Sequence, residues 1–278
     1  MSNMVVNTNV LALNSHRSLK RTGEAQSKAS ARLSSGERIN SAADDAAGLA
    51  ISEKMRSQIR GLDMASKNAQ DGVSLVQTAE GGLAEIDNMV QRIRELTVQS
   101  ANDTNTTEDR SKIDLEIQAL ADEIGSMADR VEFNEKKLIN GSAANVTFQV
   151  GANAEQTVTL TAPTNFKSMA TVLKGLSTGG SSLTATAISK NLAKIDSQLT
   201  KVVEQRAKFG AMQNRLEFTQ KSLDITSENL SASESRIRDT DMAKEMMALT
   251  KANVLQQAST NMLAQANQAP QNVLQLLQ

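Results

Sequence analysis

From Ile188 to Ile237 an apolar residue returns at every seventh position: Ile188, Ile195, Val202, Phe209, Leu216, Leu223, Leu230 and Ile237. Gly210 is the only Gly or Pro in the stretch, and Lys, Glu, Gln, Asp, Ser and Ala fill the rest. A seven-residue repeat lays one seam along a helix and requires a partner helix wound left-handedly against it. At about 1.5 Å per residue the repeat describes a rod roughly 75 Å long. The intervening seam positions begin apolar (Leu192, Leu199) and turn polar (Arg206, Gln213, Gln220, Ser227, Glu234). The second half therefore buries a thinner stripe or offers its flank to another neighbour. A long packed rod follows, not a compact enzyme core.

A second strict seam supplies the partner: Leu62, Ala69, Val76, Leu83, Val90 and Thr97, with Ala65, Gly72, Ala79, Ile86 and Ile93 as companions. Small residues come first, so a helix can approach closely near residues 65–79. A helix over 44–101 nearly matches one over 187–238 in length, and the two should pack antiparallel. Asn40-Ser41, after the break at Ser35-Gly36, can cap the first of these. The polar break Asn102–Thr107 precedes a third helix, 108–131, with Ile113, Ile117, Leu120, Ile124, Met127 and Val131 at alternating spacings of four and three. Asn140-Gly141 marks a turn. Val146, Phe148 and Val150, then Val158, Leu160 and Ala162, alternate with polar residues across the linker Gly151–Gln156, which predicts a hairpin over 145–162. Residues 163–186 are Gly-, Ser- and Thr-rich and read as an exposed loop. The middle is too short for a second sizeable domain. The fold class is mainly α: a long antiparallel coiled-coil rod with a small β-hairpin region.

The ends differ in character. Residues 4–36 carry Arg17, Lys20, Arg21, Lys28 and Arg32 against one acid, Glu24, with weak helical spacing in Val6, Val10, Leu13, Ala25, Ala29 and Leu33. Such a segment reads either as an organelle transit peptide or as a marginal helix that orders against a partner. Arg236–Asp241 forms a charged bend. Beyond Leu249 the only charge is Lys251, and seven Gln appear. Leu255, Ala258, Met262 and Ala266 share one helical face, Pro270 interrupts, and Val273, Leu276 and Leu277 continue. A nearly uncharged helix wants burial, on its own body or against other chains.

Composition excludes several classes. Five Phe with no Trp or Tyr cannot supply an ordinary globular core, so Leu, Ile, Val, Met and Ala must. A net charge of −1 gives no electrostatic case for nucleic acid or an anionic membrane. Cysteine is absent, which rules out disulfides and thiolate metal sites. No run of roughly eighteen apolar residues spans a bilayer, and no secretory signal with an apolar centre is visible. His16 stands alone and belongs on a helix face. No H-E-x-x-H or phosphate loop occurs, and the carboxylates lie on solvated helix faces. The chain reads as a non-enzyme without cofactor, metal or catalytic residues.

The sequence resembles bacterial flagellin. The resemblance is carried by Val5-Val6-Asn7-Thr8-Asn9-Val10, Arg32-Leu33-Ser34-Ser35-Gly36 and, most distinctively, Ile39-Asn40-Ser41-Ala42-Ala43-Asp44-Asp45-Ala46-Ala47-Gly48-Leu49-Ala50-Ile51. Gln91-Arg92-Ile93-Arg94-Glu95-Leu96, Val150-Gly151-Ala152-Asn153, Phe209-Gly210-Ala211-Met212-Gln213-Asn214-Arg215-Leu216 and Gln268-Ala269-Pro270-Gln271-Asn272-Val273-Leu274 also match. Met1-Ser2-Asn3 precedes the usual family start, so either Met4 is the natural first residue or the leader is added.

The resemblance implies that residues 1–43 and 239–278 pair as an inner coiled coil lining a filament channel. Residues 44–186 and 187–238 then form the surrounding rod, with no separate outer domain. It implies a self-assembling, extracellular filament subunit for motility, exported unfolded through the flagellar type III apparatus. An export chaperone would cover the C-terminal helix (Leu255, Met262, Leu263, Val273, Leu274, Leu277) before secretion, and filament cap and hook-junction proteins would be further partners. A host Toll-like receptor would contact Arg92, Leu96 and Glu116. Arg92 lies two positions past Val90, so it should point away from the seam, where it could equally bond the next subunit. The alternative is a hook–filament junction protein, which shares the termini but caps rather than polymerises. A protease-bearing flagellin is disfavoured by the missing H-E-x-x-H, and a generic coiled-coil module leaves the uncharged C-terminal helix unexplained.

Overall fold

The structure, a computed structural model, describes residues 8–142, 145–161, 164–176 and 185–276. Its elements in chain order are α1 (Val10–Ser35), α2 (Ala46–Ser100), α3 (Thr107–Arg130), β1 (Glu132–Phe133), β2 (Lys136–Lys137), β3 (Val146–Gln149), β4 (Thr157–Leu160), α4 (Phe166–Lys174), α5 (Ala185–Arg238) and α6 (Met242–Leu276). The class is mainly α. The chain forms two compact units, Met1–Ser57 with Asn229–Gln278, and Gln58–Glu228, whose boundaries fall inside α2 and α5 rather than at the turns near 43 and 239.

In the unit Gln58–Glu228 the two heptad seams meet. Leu83, Ile86, Val90 and Ile93 of α2 share one buried core with Ile117 and Ile124 of α3 and with Ile195, Val202 and Phe209 of α5. Val76 joins that core, Leu62 and Leu223 are also buried, and Leu216 packs on Ala69, Val150 and Val158. The polar cross-links set the direction. Arg94 Nε lies 2.8 Å from Asp196 Oδ1, Ser66 Oγ donates to Asp224 Oδ1 at 2.8 Å, and Ser227 Oγ donates to Asp63 Oδ1 at 2.8 Å. Partners descend α2 as they ascend α5, so the pair is antiparallel. Ile188, Leu230 and Ile237, toward the ends of the repeat, are only half-buried.

The second row of α5 differs from expectation. Asn191, Gln198 and Gln205 are buried, whereas Leu192, Leu199 and Arg206 are half-buried. The deeper companion row therefore lies three residues past the seam. Its amides disguised it: a Gln can bury its methylene stem while its oxygen finds a donor, here Lys201 Nζ at 3.4 Å from Gln198 Oε1.

α3 begins on a complete capping box, with Thr106 Oγ1 accepting from Asp109 N at 3.2 Å and the Asp109 carboxylate accepting from Thr106 N at 3.3 Å. The hydrogen bonds from Thr106 hold the Asp109 carboxyl below its ordinary pKa. The hairpin β3–β4 pairs Val146 with Leu160 and Phe148 with Val158. Gly72 admits it: a Cβ there would meet Phe148 at 3.2 Å and Leu216 at 3.1 Å. Ala162, expected in this hairpin, lies outside the described residues. β1–β2 turns on Asn134 and Glu135, both at positive φ (50° and 66°), a tight type of hairpin turn that Glu135 does not announce.

The expected loop over 163–186 is corrected in its first half. Phe166, Met169, Ala170 and Leu173 recur at helical spacing and form the buried face of α4, with Leu176 buried just beyond it. Asn165 caps that helix, accepting from Ser168 N at 3.0 Å, and Lys167 Nζ meets Asp129 at 2.8 Å, which lowers the Asp129 pKa. The surrounding Gly and Ser concealed one amphipathic helix. Residues 177–184 lie outside the described residues.

Candidate assembly interface

In the other unit, α1 and α6 lie against each other and run antiparallel. Arg32 approaches Glu245 (3.7 Å) at one end, and Asn9 reaches Ala266 at the other. α1 is thus a continuous helix whose partner is the C-terminal helix of its own chain. Its inward row is Ala12, Ser15, Leu19, Thr22, Gln26, Ala29 and Leu33, and that of α6 is Leu249, Ala252, Gln256, Ser259, Leu263 and Ala266. Steps of three and four make both rows heptads, built mostly of small or polar side chains that allow close approach but bury little apolar area.

The shared face expected for Leu255, Ala258, Met262 and Ala266 is corrected. Ala266 is buried, Leu263 is half-buried, and Leu255 and Met262 are 44% and 54% exposed. Ala252, Ser259 and Ala266 permit close helix contact on the inward side, which they share with Leu249, Gln256 and Leu263, and the other large apolar residues face out. Met246, Met247 and Val254 join them around an open groove also lined by Thr250 and Lys251. On α1, Val10, Leu11 and Leu13 are exposed as well, as is His16. Val6 and Leu277 lie outside the described residues. Val273 and Leu274 fall within the backbone of α6.

Pro270 does not interrupt α6, which runs on to Leu276. A proline inside a helix removes the N–H that would bond the carbonyl four residues back, that of Ala266. Asn9 Nδ2 donates to that carbonyl at 2.7 Å, while Asn9 Oδ1 caps α1 by accepting from Ala12 N at 3.0 Å. One side chain satisfies both helix ends.

The turns of this unit are tied by a charged hub. Arg38 N donates to Arg238 O at 2.6 Å and Thr240 N to Gly36 O at 3.0 Å. Gly36 takes φ 73°, the left-handed conformation that closes α1. The Arg238 side chain bonds Glu53 and lies 3.0 Å from Glu37, while Arg56 reaches Glu234 (3.6 Å). The glutamates, Glu53 foremost, raise the Arg238 pKa further. Asp45, not Asn40 or Ser41, caps α2 by accepting from Gly48 N at 2.9 Å. Asn40 instead reaches back to Ser35 Oγ at 2.8 Å. Lys28 Nζ stands 3.0 Å from Asp44 and holds its carboxyl at about 2, below the usual 3.8, with bonds from Ser41 assisting.

In the unit Gln58–Glu228, Arg92 and Glu116 come together on the surface. Arg92 Nε and Nη2 donate to Glu116 Oε1 at 3.1 and 2.9 Å, and Nη1 donates to Glu95 at 3.2 Å. Glu116 first, then Glu95, raises the Arg92 pKa. Leu96 is only 1% exposed and packs in the core, so its side chain offers no contact to a partner. It lies six positions past Val90 and three past Ile93, on the inward face of α2.

Residues 6–144 match the family profile described as the bacterial flagellin N-terminal helical region, and residues 192–277 the bacterial flagellin C-terminal helical region. The chain belongs to the bacterial flagellins. This flagellin is 51% identical over 275 residues to the flagellin of Halalkalibacterium halodurans, covering 99% of this chain and 100% of that one. It is 48% identical over 308 residues to the flagellin of Bacillus subtilis, with the same coverage. It is 44% identical over 288 residues to the flagellar filament 33 kDa core protein of Treponema phagedenis, covering 99% of this chain and 100% of that one. This flagellin is accordingly a structural subunit of the flagellar filament, which stands outside the cell. Among the described residues, no helix is long and apolar enough to cross a membrane.

Proposed function

We propose that this flagellin leaves the cell unfolded through the flagellar type III apparatus and polymerises by burying the outer face of its terminal helices. The observation that carries the reading is the composition of the α1–α6 pair. Its inward rows are mostly small or polar, with Leu19, Leu33, Leu249 and Leu263 the large apolar members, while Val10, Leu11 and Leu13 of α1 and Met246, Met247, Val254, Leu255 and Met262 of α6 face outward. Such a seam offsets little of the entropy of ordering two long helices. Neighbouring subunits supply the missing apolar surface, so the ends order fully on assembly. Residues 1–43 and 239–278 then form the inner layer of the filament, and 44–238 the surrounding layer.

The same outward face of α6 suits an export chaperone before secretion, and cap and hook-junction proteins at the two ends of the filament. A host Toll-like receptor would read Arg92 and Glu116, with Leu96 acting only through the packing that seats α2 beneath them.

The test is electron microscopy of the purified chain after seeding or addition of a precipitating salt at neutral pH. Long uniform filaments are expected, and a truncation lacking residues 249–278 should stay soluble and monomeric. Filaments from the truncation would overturn the reading. Persistent monomers of the full chain would move it to a junction protein.

A further inference from the structure

We propose that the outward methionines of α6, Met246 and Met247 foremost, form an oxidation site for peroxides whose modification switches assembly off. The inference rests on the assembly reading above, because it concerns the same face.

The chain holds no Cys, Trp or Tyr, so methionine is its most readily oxidised side chain. Exposure then selects among the methionines. Met242, Met246, Met247 and Met262 are 49%, 52%, 67% and 54% exposed, and all four belong to α6. Elsewhere among the described residues only Met64 is comparably open (55%), whereas Met169 is buried and Met55, Met89, Met127 and Met212 are half-buried. Met246 and Met247 line one apolar groove with Val254 and Leu255.

The reaction is balanced by the oxidant. The thioether sulfur attacks one peroxide oxygen and forms an S–O bond as the O–O bond breaks, and the departing hydroxide takes the proton of the transferred hydroxyl, leaving a sulfoxide and water. Sulfur is oxidised by two electrons and the peroxide reduced by two. A sulfoxide is polar and chiral, and burying it without a donor carries a desolvation cost that a thioether does not. The modified face therefore resists the dry contact that assembly needs. Inside a finished filament the same sulfurs are shielded, so the switch acts on the free subunit.

The experiment treats monomeric full chain with hydrogen peroxide and maps gains of about 16 Da by peptide mass spectrometry. Met246 and Met247 should react before Met169, helicity by circular dichroism should be unchanged, and polymer yield should fall at least tenfold. Met246→Leu/Met247→Leu, whatever its own untreated yield, should lose little of that yield to the same treatment, while Met64→Leu should remain as sensitive as the parent chain. Met246→Gln/Met247→Gln, a polar mimic, should fail to polymerise untreated. Oxidised protein that polymerises normally, or equal inhibition of the Leu pair, would overturn the switch. Reaction of Met169 ahead of the α6 pair would overturn the site. If untreated full chain never forms filaments, the assembly reading fails instead, and the order of oxidation still decides the site.

Discussion

Asn9 Nδ2 donates to the carbonyl of Ala266 across 2.7 Å, and that carbonyl is the one Pro270 leaves without its helical N–H. The first helix thereby completes the last. Asn9→Ser keeps an oxygen that can cap α1 but removes the Nδ2 amide, and its shorter hydroxyl does not reach from the cap to the Ala266 carbonyl, so it should cost about 1 kcal/mol in the stability of the α6 end. Pro270→Ala restores the missing N–H, so the same Ser substitution should cost distinctly less in that background. Amide exchange through residues 266–274 reads both effects, and equal costs in the two backgrounds would break the link.

Arg206 holds two carboxylates across the long helix pair, Glu80 at 3.0 Å and Asp87 at 3.2 Å. The Asp87 side chain is 11% exposed and receives one further bond, from Gln91. Arg206→Met should lower stability by about 1–2 kcal/mol, less than for a fully buried pair because Arg206 and Glu80 are partly solvated. Adding Asp87→Asn should recover much of the loss, measured by urea unfolding.

Phe166 anchors α4 in the core. Phe166→Ala should cost about 3–5 kcal/mol. Thermal unfolding should shift down, and protection from exchange over Phe166–Lys174 should fall before that of α2.

The Asp44 carboxyl titrates at about 2 in the folded chain, below its usual 3.8, because Lys28 lies 3.0 Å away. A depressed carboxylate contributes stability that is complete above its unfolded pKa and lost as pH falls through the folded one. The contact between α1 and the turn before α2 should therefore weaken between about pH 4 and pH 2. Lys28→Gln should move the Asp44 midpoint upward by NMR titration; an unmoved midpoint would assign the shift to Ser41 instead.

Arg92→Ala should weaken binding to a Toll-like receptor ectodomain about tenfold. It removes a guanidinium already oriented by Glu116 and Glu95. Unchanged affinity would discard Arg92 as a contact.

Much of the fold was legible in one dimension. The heptads through Leu83 and Phe209, the spacing from Ile113 to Ile124 and the alternation around Phe148 and Val158 each encode a period, and a period is a local property. The hidden elements carried weaker local signals. α4 is short and sits among Gly and Ser, and the β1–β2 turn places Glu135 where Asn or Gly is usual.

The sequence by itself determined the two long helices, their antiparallel pairing and the family, because apolar periodicity and long contiguous motifs survive without coordinates. Only the tertiary structure decided which sides face out. Ala252 and Ala266 turn inward beside Leu249 and Leu263, while Met246 and Leu255 turn outward, since the register of α6 against α1, not hydrophobicity alone, sets the inward row. Leu96 is buried and Arg92 exposed for the matching reason: the register of α2 against its neighbours sets the face. Pro270 remains helical because a side chain from the opposite end of the chain bonds the carbonyl it leaves free, and no local pattern encodes that distance.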